Sequence, residues 1–86
     1  MPYNPVFSED FNETITKLKK KDVQMYERIK QKIHEIMENP HHYKPLSNVL
    51  KGCRRIHLGH FVLIFEINER EQKVIFTRFS HHDDAY

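Results

Sequence analysis

This chain of 86 residues predicts an α+β domain: a helical hairpin packed on one face of a small, mostly antiparallel four-stranded sheet, in the order β-α-α-β-β-β. Three observations carry the prediction. Apolar residues recur at helical spacing through the first half. The second half changes to the two-residue period of strands. Between them Asn39-Pro40 ends the helical pattern, because proline restricts the residue before it and cannot continue a helix. A chain of this length can bury one modest core and not two, so residues 1–86 read as a single domain.

The elements follow in order. Tyr3 to Phe7 is a short strand holding Pro5, just after Pro2; proline cannot donate to a ladder, which points to a sheet edge or a broken strand. Ser8 reads as an N-cap, with Glu9 and Asp10 in the first turn where carboxylates complement the helix dipole. Phe11, Ile15 and Leu18 then face inward. Lys19, Lys20 and Lys21 interrupt the pattern and read as a solvated turn between helices. Asp22 caps a second helix whose inward stripe is Tyr26, Ile29, Ile33, Ile36 and Met37. A hairpin with one apolar face requires a sheet to cover it.

The sheet comes from the second half. Arg54 to Leu58 and Phe61 to Ile67 flank Gly59-His60, a two-residue hairpin signal, and Lys73 to Phe79 follows the polar loop Asn68 to Gln72. Phe61-Val62-Leu63-Ile64-Phe65 is apolar on both faces, as a central strand is. Alternation in the strand before it sends Ile56 and Leu58 to one face and Arg55 and His57 to the other. With helices on the Ile56 side, Arg55 and His57 stand on the open face. Glu66 shares that face with Val62 and Ile64, where pairing with a neighbouring arginine is its simplest use.

Composition narrows the function classes. Hydrophobic residues make up 38% and charged residues 30%, a balance that folds. The single cysteine, Cys53, cannot form an internal disulfide, and it reads as a small hydrophobe because no thiolate-stabilising motif surrounds it. There is no apolar run of about 20 residues, and Met1-Pro2-Tyr3 lacks signal-peptide character; a cytoplasmic protein without membrane contact is expected. The net charge of +2 is small, yet its distribution is uneven. From Glu9 to Asn39 seven acids offset seven bases, whereas Pro40 to Phe65 holds Lys44, Lys51, Arg54 and Arg55 and no acid. A polyanion finds its positive surface there.

The tail Arg78-Phe79-Ser80-His81-His82-Asp83-Asp84-Ala85-Tyr86 places imidazoles and a phenol beyond an apolar strand. Histidine titrates near neutrality, so these side chains can exchange protons with a substrate. A zinc or manganese site at His81, His82, Asp83 and Asp84 ranks lower, since adjacent residues of an extended chain rarely ligate one ion. His34 reads as a surface residue, His41 and His42 as loop, and Tyr43 as packing.

Taken together, Tyr43-Lys44-Pro45-Leu46, the Lys-Gly-x-Arg-x-x-His block from Lys51 to His57, and the ending Arg78, His82, Tyr86 resemble the RelE/ParE toxin superfamily over nearly the whole chain, most closely its YafQ branch of ribosome-dependent mRNA interferases. The resemblance implies a toxin of a type II toxin–antitoxin system. Its partners would be a cognate antitoxin, in a toxin–antitoxin hetero-oligomer, and the ribosome with its messenger RNA. It also implies that His57 and His82 match catalytic histidines and that Tyr86 matches a functional aromatic. His60 stands where the branch has an aspartate, Lys44 where it has a histidine, and Val62 where the RelE branch has an arginine.

RNA scission without a metal or other cofactor needs a base for the 2′-hydroxyl, cations for the charge developing on phosphorus, and an acid for the leaving 5′-oxygen. His57 and His82 suit the proton transfers, with His57 favoured as base and His82 as acid. Lys44, Lys51, Arg54, Arg55 and Arg78 can bind RNA, Arg55 being preferred to Arg54 as the phosphate clamp because it shares a face with His57. Tyr86 can stack on a base. Two other classes fit the resemblance: a ParE-like inhibitor of DNA gyrase, and an inactive relative that only binds antitoxin.

Overall fold

Strand order in the sheet is β1-β4-β3-β2, with β1 parallel to β4 and both remaining pairs antiparallel. The computed structural model describes residues 3–43 and 53–81. The elements are β1 (Asn4–Phe7), α1 (Glu9–Lys21), α2 (Val23–Glu38), a 3₁₀ turn (Pro40–His42), β2 (Cys53–Leu58), β3 (Phe61–Asn68) and β4 (Lys73–His81). The two-layer α+β arrangement and the element order are those expected from sequence. Among the described residues no helix is long and apolar enough to cross a membrane.

Local chemistry explains the helix boundaries. Ser8 Oγ accepts from the Phe11 amide at 3.0 Å and donates to the Thr77 carbonyl at 2.8 Å, while the Ser8 amide donates to the Phe76 carbonyl at 3.0 Å. One residue therefore caps α1 and staples its start to β4. Asp22 serves both helices: its amide donates to the Leu18 carbonyl, closing α1, and its carboxylate accepts from the Met25 amide at 3.1 Å, opening α2. Lys19, Lys20 and Lys21 occupy the last turn of α1, where the helix dipole favours cations.

The core lies between the helices and one face of the sheet. Phe11, Ile29, Ile36, Leu58, Leu63, Phe65, Val74, Phe76 and Phe79 form it, with Ile15, Leu18, Ile33, Met37 and Ile56 packed around them. Tyr26, expected in the inward stripe, sits at its margin instead, with Lys19 Nζ 5.7 Å and Lys30 Nζ 5.5 Å from its ring centroid. A phenol ring between two ammonium groups keeps its edge wet and still gains cation–π attraction.

Two features of the strands depart from simple alternation. Leu58 pairs with Phe61 across Gly59-His60, and the positive φ of 64° falls on Gly59, the pattern of a type II′ hairpin. In β4 the register slips: Ile64 pairs with Arg78 and Phe65 with Phe76, so Thr77 is an extra residue, and its hydroxyl donates to the Ile64 carbonyl at 3.1 Å. The bulge lets Phe76 and Phe79, three apart, both face the core. The strand β4 also runs two residues past Phe79, where Ser80 pairs with Val62 and His81 with Phe61. The expectation that the strand stops at Phe79 is corrected accordingly.

Candidate functional site on the open sheet face

Directly paired residues of a sheet project to the same side, so the register defines rows across the uncovered face. One row is Arg55–Ile64–Arg78, and the next is His57–Val62–Ser80. A third runs Cys53–Glu66–Ile75–Val6. Strands lie about 4.8 Å apart, which sets Arg55 and Arg78 roughly 10 Å from each other with the apolar Ile64 between them. His57 lies two positions along β2 from Arg55. The result is an imidazole beside two guanidinium groups on a face that none of the described helices covers.

The bulge is what brings Arg78 here. Strict alternation from Val74 and Phe76 would give Arg78 to the helical side, yet the extra residue returns it to the open face with Ser80. The position expected to hold a family arginine, Val62, is fully buried between His57 and Ser80. The guanidinium groups of this face come from the strands on either side instead.

Other predicted site residues are placed apart. Arg54 projects to the helical side, where its Nε donates to the Tyr43 carbonyl at 2.9 Å; Tyr43 packs edge-on against Phe65, with centroids 5.9 Å apart. Arg54 thus fastens the chain after α2 to the sheet, on the face opposite Arg55. His60 sits in the β2–β3 turn, its ring stacked on His81 at 6.1 Å, at the end of the sheet rather than on the row of His57. His81 itself meets Phe61 edge-on at 5.6 Å. Lys44, Lys51, His82 and Tyr86 lie outside the described residues.

A carboxylate and a thiol share the third row. Glu66 has Cys53 and Ile75 beside it in register, with no arginine directly opposite. Burial, and then the Glu66 charge, push the Cys53 thiol up, which keeps it protonated and unreactive at neutral pH. Among the described residues no group of three or more His, Cys, Asp or Glu is arranged to hold a metal ion.

Away from this face the structure reveals a cluster that the sequence did not announce. Tyr3 donates through its hydroxyl to Glu69 Oε1 at 2.8 Å, and His41 Nε2 lies 3.0 Å from the same hydroxyl and pairs with Glu69 Oε2. It clasps the start of β1, the 3₁₀ turn and the β3–β4 loop. Its members are 38 and 66 positions apart in sequence, so no local pattern could have found it.

Comparison with known proteins bears on this arrangement. Residues 6–86 match the family described as ParE toxin of type II toxin–antitoxin system, parDE. A Methanocaldococcus jannaschii protein described as a candidate RelE toxin, RelE4, is 42% identical over 73 residues, 84% of this chain and 78% of that one. Among solved structures, a YoeB/ParE toxin from Agrobacterium tumefaciens superposes with a TM-score of 0.82 at 14% identity, over 92% of this chain and 98% of its own. The Escherichia coli DinJ–YafQ toxin–antitoxin complex contributes a chain with a TM-score of 0.77 at 17% identity, covering 100% of this chain and 99% of its own.

Proposed function

The chain belongs to the ParE toxin family of type II toxin–antitoxin systems, within the RelE/ParE superfamily, and from that membership we propose that it is an mRNA interferase that cleaves messenger RNA on the ribosome by acid–base catalysis. The observation that carries the reading is the open face itself: His57 beside Arg55 and Arg78. In the proposed reaction His57 takes the proton of a ribose 2′-hydroxyl, and the 2′-oxygen attacks the adjacent phosphorus. The P–O5′ bond breaks, and an acid returns a proton to the leaving 5′-oxygen, giving a 2′,3′-cyclic phosphate and a free 5′-hydroxyl. His82 is the proposed acid. Arg55 and Arg78 neutralise the charge gathering on the equatorial phosphate oxygens, and guanidinium groups suit that task because their planar forks match phosphate geometry. Tyr86, Lys44 and Lys51 are proposed to hold the flanking nucleotides, by stacking and by charge respectively.

An antitoxin that neutralises this activity is expected to cover the same face. A complex in which Arg55, His57 and the tail all stay exposed would refute direct occlusion. The ParE description of the family keeps a second reading in view, inhibition of DNA gyrase, which requires no proton-transfer pair. Primer extension on programmed ribosomes with purified protein, run beside a gyrase supercoiling assay, separates the two. Cuts in ribosome-bound message with unaffected supercoiling support the interferase; supercoiling loss without cuts overturns it.

A further inference from the structure

The helical hairpin is electrically polarised along its length. Its tip, residues 17–32, carries seven lysines and arginines against Asp22 and Glu27, whereas residues 9–16 and 33–39 carry five acids and no lysine or arginine. Summed over both helices the charges cancel, which is why composition conceals the asymmetry.

Structural needs account for part of it only. Lysines in the last turn of α1 complement the helix dipole. Lys30 pairs with Glu27 at 3.9 Å and Lys32 with Glu35 at 3.0 Å. Lys17, Lys20, Lys21 and Arg28 are exposed and make no ion pair among the described residues. Four uncompensated cations towards the tip of one small hairpin repel each other and persist at a cost unless a polyanion meets them. The tip also has a definite address. Arg28 Nη1 lies 3.6 Å from where a Cβ on Gly59 would stand, so the basic pole adjoins the β2–β3 turn and the stacked pair His60 and His81.

We infer that the hairpin tip is a second RNA-binding surface, one that grips the phosphate backbone of folded RNA. A substrate strand on the open sheet face cannot also reach the helical layer behind it. The tip therefore meets a different RNA segment, which under the reading proposed above is the ribosome's own RNA. Folded RNA fits better than an acidic protein segment because the cations are dispersed over both helices, and among the described residues Val23 is the one large apolar side chain exposed beside them, too little to anchor a peptide.

Binding of purified ribosomes is measured against salt concentration for the wild-type protein and for Lys17→Gln/Lys20→Gln/Lys21→Gln/Arg28→Gln. Each lost phosphate contact lowers the log–log salt slope by about 0.7 to 0.9. The quadruple variant is expected to lose about 3 from the slope and at least about 10-fold in affinity near 0.15 M salt. The charge-keeping variant Lys17→Arg/Lys20→Arg/Lys21→Arg/Arg28→Lys is expected to retain both. An unchanged slope in the glutamine variant overturns the inference, as does equal loss in the charge-keeping one. Loss of poly-L-glutamate binding with ribosome binding intact would also overturn it, by making the tip a protein surface. Cleavage is followed separately: a wild-type protein that never cuts RNA refutes the interferase reading, while the salt slope still decides this one.

Discussion

The two faces of the sheet are made from the same three long strands and answer to different demands. On the helical side Leu63, Phe65, Val74 and Phe76 are fully buried in an apolar core, and the guanidinium placed there, that of Arg54, is held by the Tyr43 carbonyl. On the open side the same strands present Arg55, His57, Glu66 and Arg78. Burying such polar groups without partners would cost several kcal/mol, so they gather on the face without helices, and Arg54 on the other side has the Tyr43 carbonyl as its partner. The contrast teaches where stability and chemistry separate in a domain too small to keep them in different layers.

The largest expected effects test that separation directly. Leu63→Ala should cost about 3 to 5 kcal/mol through lost burial and a residual cavity, enough to unfold a marginal domain. His57→Ala should leave thermal unfolding nearly unchanged while slowing single-turnover cleavage by about 100-fold or more. If His57→Ala proves as destabilising as Leu63→Ala, the imidazole belongs to the packing and the proposed site is wrong.

The tail gives the next test, sharpened by the length of β4. A chain ending after Phe79 would lose the pairs Ser80–Val62 and His81–Phe61 and should lose stability as well as activity. One ending after His81 keeps the ladder. It should remain folded by circular dichroism and still fail to cleave, as should His82→Ala, which is expected to fall about 100-fold or more. Normal cleavage by either protein would remove His82 from the mechanism.

Smaller effects come from the joints between layers. Ser8→Ala removes the α1 cap and leaves the Thr77 carbonyl without its side-chain donor, and it should cost about 1 to 2 kcal/mol in urea denaturation. The Tyr3–His41–Glu69 clasp should register in the pH dependence of unfolding. The Tyr3 hydroxyl, and after it the His41 charge, hold the Glu69 carboxyl below its usual range. A depressed folded pKa gives stability that is present above the unfolded value, about 4.3, and lost as pH falls through the lower folded one. The hydrogen bond to Glu69, with burial and the Glu69 charge, raises the Tyr3 phenol. Its contribution is present below about pH 10 and lost as pH rises through the raised folded value. Glu69→Gln should flatten the acid limb of the profile; an unchanged limb would show that the clasp contributes nothing.

Much of this architecture is legible in the residues themselves. Helix starts at Ser8 and Asp22, the stop at Asn39-Pro40 and the turn at Gly59-His60 all use side chains or backbone preferences that act locally. Alternation alone separated Arg55 and His57 from Ile56 and Leu58. The fourth strand resisted because a bulge breaks the period on which such reading depends. The available signal was Phe76 and Phe79, two large apolar residues three apart, which cannot share a face without an inserted residue. The pairing of β1 with β4, and the clasp joining Tyr3, His41 and Glu69, depend on contacts between distant segments that leave no periodic trace.

Thr77 works as a parity bit for the end of the chain. Every residue after it takes its side of the sheet from the fact that Thr77 bulges out of the ladder rather than pairing within it. Were Thr77 to enter the ladder as an ordinary pair instead of bulging out, composition, charge and hydrophobicity would be unchanged, yet Arg78 and Ser80 would turn towards the helices and Phe79 towards solvent. The hydroxyls of Ser8 and of Thr77 itself hold that residue between α1 and β3. Length variation is therefore tolerable in the loop before β4, whereas within the strand a residue gained or lost without a compensating bulge would exchange the open and helical faces of everything after it.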